Sequence, residues 1–208
     1  MPIPTTNATQ ELPAVNQILA SVGQAPVTSL DQTNPDVAIA YDTLLTVSRE
    51  VQAEGWSFNT EFDTPKTTDA NKEFSIPNNM LQVDLTTSSA NAYKNVVRRE
   101  GKLYDRYNHT FDITDGAGDE IRLDIVWLFD WVDLPIPIQD YIVSRAAVLV
   151  STRIVGDGGQ YQMLQQKEAY TRAMALEYEC NQGDYTFFGT PAGQNNYISY
   201  KPYQALYR

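Results

Sequence analysis

The fold is decided between residues 34 and 55, which read NPDVAIAYDTLLTVSREVQAEG. Asn34 is a favourable N-cap because its side chain can accept a hydrogen bond from the first turn, and Pro35 suits the first helical position. Core-forming residues then return every three or four positions until Gly55, as on one face of a helix. This stretch predicts a helix packed against a core. The predicted buried face comprises Val37, Tyr41, Leu44, Leu45, Ser48 and Val51.

Three further segments have helical spacing. One precedes the quoted stretch, over residues 11–22, and Gly23 stands where a left-handed C-cap belongs. Another begins near Pro137 and is broken by the glycines of residues 156–159. The last covers about residues 160–180. Its predicted apolar face comprises Leu164, Tyr170, Met174 and Tyr178.

Between the helices the apolar period changes from helical spacing to every second residue, which is typical of half-buried strands. Asp115 and Gly116 form a plausible hairpin turn between two of them. The region 56–133 is therefore expected to form an antiparallel sheet. The alternating residues are Trp56, Phe58 and Phe62, then Leu81, Val83 and Leu85, then Ile121, Leu123, Ile125 and Trp127.

This order predicts an α+β protein. Residues 1–55 and 134–182 supply four helices that form one bundle, with the β-rich region 56–133 as an insertion. Residues 183–208 form an extended tail, too aromatic for a free terminus and without any period, so we expect it to lie on a partner surface. Its aromatic residues are Tyr185, Phe187, Phe188, Tyr197, Tyr200, Tyr203 and Tyr207.

Composition excludes several classes of function. The chain has 208 residues and a net charge of −11, which argues against a surface that binds nucleic acid throughout. One cysteine, Cys180, and one histidine, His109, allow no internal disulfide and no cysteine or histidine metal cluster, so no metal or cofactor is expected. No apolar run reaches the roughly 18 residues of a membrane span, and no secretory signal is visible, so synthesis in a cytoplasm is expected.

A few residues are candidates for function. The acid pairs Asp130 with Asp133, or Asp124 with Asp130, could serve a glycosidase, although such pairs arise by chance among 26 acids. The one basic stretch runs from Lys94 to Arg106 and could touch DNA phosphates, an acidic neighbouring subunit or only solvent. Trp56 and Phe58, after a helix-ending glycine, are expected to form a structural hinge that packs the sheet onto the bundle.

Several stretches together resemble the tail tubular protein A family, the head–tail adaptors of Autographivirus-type short-tailed phages. The resemblance covers residues 11–180. It rests on Glu11–Gly23 with Ala25–Val27, Glu54–Asn59, Asp133–Pro135 with Tyr141–Ala146 and Arg153, and Leu176–Glu179.

The resemblance implies a structural virion protein with no enzymatic activity. Such adaptors form a ring, dodecameric in the relatives, that joins the portal to the nozzle (tail tubular protein B), helps to seat the tail fibres and lets double-stranded DNA pass without specific binding. Assembly is then the mechanism. Arg98, Arg99 and Arg106 would set the register between subunits, and the aromatic tail would lie along the portal or a neighbouring copy.

Three alternatives remain at this stage: a virion glycan hydrolase using an acid pair, another head-completion or neck connector, and a DNA-binding protein. The charge distribution adds one expectation. Residues 138–208 hold six acids and six bases, so the net negative charge lies in residues 1–137. An acidic ring lumen would let DNA slide through without adhering.

Overall fold

The structure is a computed structural model, and it describes residues 8–31, 33–86, 94–114 and 120–183. Within those ranges the chain is mixed α+β, as predicted, and it divides into two compact units. A helical unit comprises Met1–Phe58 with Leu128–Gln182, and a strand unit includes Asn59–Trp127. The described elements are α1 (Ala8–Ser21), α2 (Pro35–Gln52), β1 (Thr60–Thr67), β2 (Met80–Leu85), β3 (Val96–Arg99), β4 (Lys102–Asp105), β5 (Glu120–Trp127), α3 (Ile136–Ile154) and α4 (Gly158–Gln182), with a 3₁₀ turn at Trp131–Asp133.

The ends of α1 and α2 follow their sequence signals. Asn34 Oδ1 accepts a hydrogen bond from the Asp36 N–H at 3.0 Å, and Pro35 occupies the first turn, so the predicted cap is confirmed. Gly23 takes a φ of 79°, and the next N–H bonds back to the Leu19 carbonyl at 3.0 Å, which closes α1 in a Schellman motif.

α3 is the central helix of the helical unit, because it contacts α1, α2 and α4. Its middle is buried on nearly every side, whereas α4 has only Ala175 and Glu179 buried along 25 residues. The core joins residues of all four described helices with Trp56 and Leu134. Its largest fully buried side chains are Tyr141, Ile18, Leu19, Leu44, Ile138 and Ile142.

The strand unit is built around β5, which pairs antiparallel with β1 on one side and β2 on the other. β3 and β4 form a separate antiparallel pair in which Val96 faces Asp105 and Arg99 faces Lys102. Alternation along β5 places Ile121, Leu123 and Ile125 in the core of this unit, as predicted. The predicted Asp115–Gly116 turn lies outside the described residues.

The sequence predicts that the first strand begins at Trp56, but β1 begins at Thr60, four residues later. Residues 56–59 form a turn. Trp56 and Phe58 instead pack in the core of the helical unit, and Phe62 is exposed. The register of β1 shifts between Glu61 and Thr64, which interrupts the regular alternation of faces beside Phe62.

Candidate interaction surfaces and their framework

The three arginines predicted to set subunit register lie on or beside the β3–β4 pair, and all three are exposed. Arg98 and Arg99 end β3, and Arg106 follows β4. The Arg99 guanidinium lies 4.0 Å from the centroid of the Tyr104 ring, a cation–π contact that orients it. Arg98 Nη1 donates to the Met80 carbonyl at 3.4 Å. The structure thus places the three cationic groups near one hairpin with their charges accessible to solvent.

The lysines of the same basic stretch are engaged within the strand unit. Lys94 is buried, and its Nζ donates to the Asp112 carbonyl at 3.2 Å. Lys102 forms an ion pair with Glu73, and the hydrogen bond to that carboxylate raises the pKa of Lys102. The stretch from Lys94 to Arg106 is therefore not one continuous basic face.

A buried carboxylate organises the loop after β4. Asp105 Oδ1 accepts from the Tyr107 N–H at 2.8 Å, and Oδ2 accepts from Asn108 Nδ2 at 2.9 Å. His109 completes the turn with a φ of 56°, in the left-handed region. This turn leaves Tyr107 83% exposed. An exposed tyrosine on a fixed backbone is suited to protein contacts, because ordering it costs little entropy.

α4 carries an exposed apolar stripe. Met163, Tyr170 and Met174 lie at helical spacing on one face and are 73%, 67% and 43% exposed. Lys167, also exposed, lies on the same face between them. We call these four residues the α4 stripe. Of the four residues of the predicted apolar face, Tyr170 and Met174 are exposed, whereas Leu164 and Tyr178 are partly buried. The least exposed side of α4 comprises Leu164, Glu168, Thr171, Ala175, Tyr178 and Glu179.

A second exposed apolar group lies where the 3₁₀ turn leads into α3. Val132 and Ile136 are 56% and 72% exposed. Asp133, next to Val132 in the sequence, and Asp140, one turn after Ile136 in α3, are also exposed. We call these four residues the α3 patch.

A polar network joins α2, α3 and α4 within the helical unit. The buried Tyr141 hydroxyl accepts hydrogen bonds from Arg145 Nη1 at 3.2 Å and from Arg172 Nη1. Arg145 also pairs with Glu50 at 3.2 Å, and Arg172 pairs with Glu54 at 3.2 Å. The bond to Tyr141 raises the pKa of the Arg172 guanidinium. Sequence reasoning singled out the stretch that contains Tyr141 and Arg145 but missed their partners Arg172 and Glu50, which lie 31 and 95 residues away.

The turn after α2 is held by the end of α4. Both carboxylate oxygens of Glu179 lie 3.0 Å from the Ser57 nitrogen, and the Ser57 hydroxyl donates to Oε2 at 2.9 Å. Trp56 Nε1 donates to the Val51 carbonyl at 2.7 Å, and the Phe58 and Phe129 rings lie 6.3 Å apart. The carboxylate was missed from the sequence, although both residues lie in stretches that carry the family resemblance. The hinge role of Trp56 and Phe58 stays a prediction.

The acidic residues considered for a glycosidase take part in hydrogen bonds within the fold. Asp124 Oδ1 accepts from the Asp63 N–H at 2.9 Å and from the Thr86 hydroxyl at 2.5 Å, so it fixes neighbouring strands of the strand unit. Asp130 precedes the 3₁₀ turn, whose Asp133 N–H bonds to the Asp130 carbonyl at 3.1 Å.

Among the described residues, no group of acidic, histidine and cysteine side chains is arranged to hold a metal ion. No helix in the described ranges is long and apolar enough to cross a membrane. The predicted interface aromatics of the tail, Tyr185, Phe187, Phe188, Tyr197, Tyr200, Tyr203 and Tyr207, lie outside the described residues.

Comparison with known proteins places these surfaces in context. Residues 12–185 match the family model described as tail tubular protein. The chain is also similar to "Tail tubular protein A" of Klebsiella phage KP34, with 26% identity over 176 residues. That alignment covers 83% of this chain and 89% of the relative.

Proposed function

Because the chain belongs to the tail tubular protein family and is a component of the phage virion tail, we propose that it is an adaptor ring that joins the portal to the tail nozzle. Its partners are then further copies of itself, the portal protein, the nozzle protein and the tail fibre protein. The ring is dodecameric in the relatives that the sequence resembles, and the same number is proposed here. The four helices form its bundle.

One observation supports this proposal: α4 exposes large apolar side chains although hydrogen bonds hold it against the rest of the helical unit. The helix leaves four large apolar side chains exposed to solvent, Met163, Tyr170, Met174 and Leu176. Arg172 and Glu179 nevertheless hold it against α3 and the segment that follows α2. Apolar side chains on a rigid support are the usual energetic centre of a protein interface. An assembling subunit needs such faces, and the family is one of structural tail proteins.

The remaining surfaces fit the same role. The exposed Arg98, Arg99 and Arg106 would meet acidic groups of a neighbouring subunit and set its register. Residues 183–208 would lie along the portal or an adjacent adaptor. The net charge of −11 would make an acidic lumen through which DNA passes during ejection without specific binding.

Electron cryomicroscopy of purified tails, and of the recombinant protein with its phage's portal protein, tests the proposal. The expected result is a ring of this chain between portal and nozzle, with acidic side chains on its inner wall. A chain located elsewhere in the virion would contradict the adaptor role, and a neutral or basic lumen would contradict the role of the charge. Turnover of host polysaccharide that is lost in Asp130→Asn or Asp133→Asn would favour the hydrolase alternative.

A further inference from the structure

From the exposed side of α4 and the sequence that follows it, we infer that residues 184–208 of the unassembled chain cover the α4 stripe of the same chain. The stripe places Met163, Tyr170 and Met174 on one exposed face of α4. Large apolar side chains grouped in this way on a folded surface mark a contact site. The inference concerns the chain before assembly and does not depend on the proposed ring.

The charges on the exposed side of α4 favour an uncharged partner. Lys167 lies within the stripe, and the exposed Glu177 lies on the same face at i+14 from Met163, so the two charges cancel. The surface therefore attracts neither an acidic nor a basic partner, and the energy of a contact must come from apolar area. The middle of the exposed side is uncharged and comprises Gln162, Gln166, Ala169, Ala173 and Cys180.

Residues 184–208 have a composition that suits this surface. Of these 25 residues seven are aromatic, and only Asp184, Lys201 and Arg208 are charged. Aromatic rings bury a large area each, and methionine side chains adapt to them and make favourable contacts through sulfur. The rest of the chain suits the surface less well, because its net negative charge lies in residues 1–137.

The position of the segment selects the α4 stripe of its own chain. Residues 184–208 follow α4 through Gly183, so they begin at one end of the surface that they would cover. Met163, the stripe residue farthest from Gly183, lies about 30 Å from it along the helix axis at 1.5 Å per residue. A chain of this length can span up to roughly 80 Å, so it reaches the whole stripe. A segment joined so closely meets its own helix at an effective concentration of roughly millimolar, above that of other copies in dilute solution.

This contact has a consequence for assembly. An uncovered apolar stripe would promote self-association of the unassembled chain, and a tethered segment that covers it prevents this. When the segment moves onto the portal or an adjacent adaptor, as proposed above, the stripe becomes available to a partner at the same step. Coverage of the stripe would then couple the exposure of one assembly surface to the use of another.

Photochemical cross-linking in the full chain tests the inference. The photoreactive residue p-benzoylphenylalanine replaces Tyr170, and the products formed in dilute solution are separated by mass and sequenced by mass spectrometry. The expected product has the mass of one chain and joins position 170 to a peptide from residues 184–208. The same residue placed at Tyr107, an exposed tyrosine of the strand unit, should give no link to that segment.

Two other results of the cross-linking would overturn the inference. A product with the mass of two chains would show that another copy covers the stripe, whether through its own α4 or through its residues 184–208. Links from position 170 that never reach residues 184–208 would show that the segment lies elsewhere.

Oxidation of the native methionines provides a second test without a probe. Met163 and Met174 should be oxidised by hydrogen peroxide several-fold more slowly in the native chain than in a variant whose seven aromatic residues in 184–208 are replaced by serine. Met80, buried in the strand unit, should react equally slowly in both chains, and circular dichroism should show unchanged helix content. Equal oxidation rates of Met163 and Met174 in the two folded chains would overturn the inference. Both tests use the unassembled chain, so a failure of the proposed ring leaves their outcome unaffected.

Discussion

Glu179 binds the backbone N–H and the hydroxyl of Ser57, a residue 122 positions earlier in the chain. The carboxylate is almost completely buried, and it satisfies a turn that carries Trp56 into the core of the helical unit. A single side chain near the end of α4 therefore fixes both that helix and the path of the chain after α2.

Glu179→Ala is expected to destabilise the helical unit by about 1–3 kcal/mol, because it leaves the Ser57 N–H without its acceptor in a poorly solvated turn. Urea unfolding followed by circular dichroism measures the change. Glu177→Ala removes the same charge from an exposed site two residues away and should cost under about 0.5 kcal/mol. Equal losses in both variants would show that the contact with Ser57 contributes nothing.

Tyr141→Phe is expected to cost about 1.5–3 kcal/mol, because two guanidinium groups lose the hydroxyl that accepts their hydrogen bonds. The ring itself stays in place, so the loss reports the hydroxyl. Tyr170→Phe removes a hydroxyl from an exposed ring and serves as the matched control, with a shift in unfolding midpoint near zero. A Tyr141→Phe variant as stable as the control would contradict a supporting role for the network.

Glu11 offers a test by pH. Burial raises the pKa of its carboxyl above the ordinary value of 4.5, with a hydrogen bond from Tyr41 opposing and the charge of Asp130 adding to the rise. Among the described atoms its Oε2 has no hydrogen-bond partner. The folded state holds this proton more tightly than the unfolded state does, so stability is lost as pH rises from 4.5 through the folded pKa.

Glu11→Gln should therefore have a higher melting temperature than the native chain at pH 7, and the difference should shrink as the pH falls to 4.5 and below. Calorimetry at several pH values measures it. Glu177→Gln, at an exposed position, should track the native chain throughout. A gain from Glu11→Gln that is constant with pH would show that the ionisation of this carboxyl does not limit stability.

Local signals predicted the parts of the fold that depend on neighbouring residues. Asn34 with Pro35 and the glycine at position 23 marked helix ends, and alternation along β5 marked its buried face. Alternation also predicted a strand that begins at Trp56, and this prediction was wrong. Trp56 and Phe58 are two positions apart, but both pack in the helical core from an irregular turn. Helical spacing predicts that residues share one face of a helix, but it does not predict whether another element packs against that face. For that reason the exposure of Tyr170 could not be predicted from the sequence.

The framework could not be predicted in the same way. The partners of Tyr141 and Ser57 come from distant segments, and their pairing depends on how the helices pack rather than on any local pattern. Arg98, Arg99 and Arg106 could be selected from composition, whereas the burial of Lys94 could not, since charged residues are normally exposed.

The Asp105 loop provides the last prediction. Asp105→Ala removes the carboxylate that holds the backbone of Tyr107 and the side chain of Asn108, so the strand unit should lose about 1–3 kcal/mol of stability. Tyr107→Ala should leave stability within about 0.5 kcal/mol, because that ring is exposed. If the loop is a docking element, both variants should assemble poorly with the portal and nozzle proteins, measured by co-sedimentation. A Tyr107→Ala chain that is stable and assembles normally would show that the loop serves the strand unit alone.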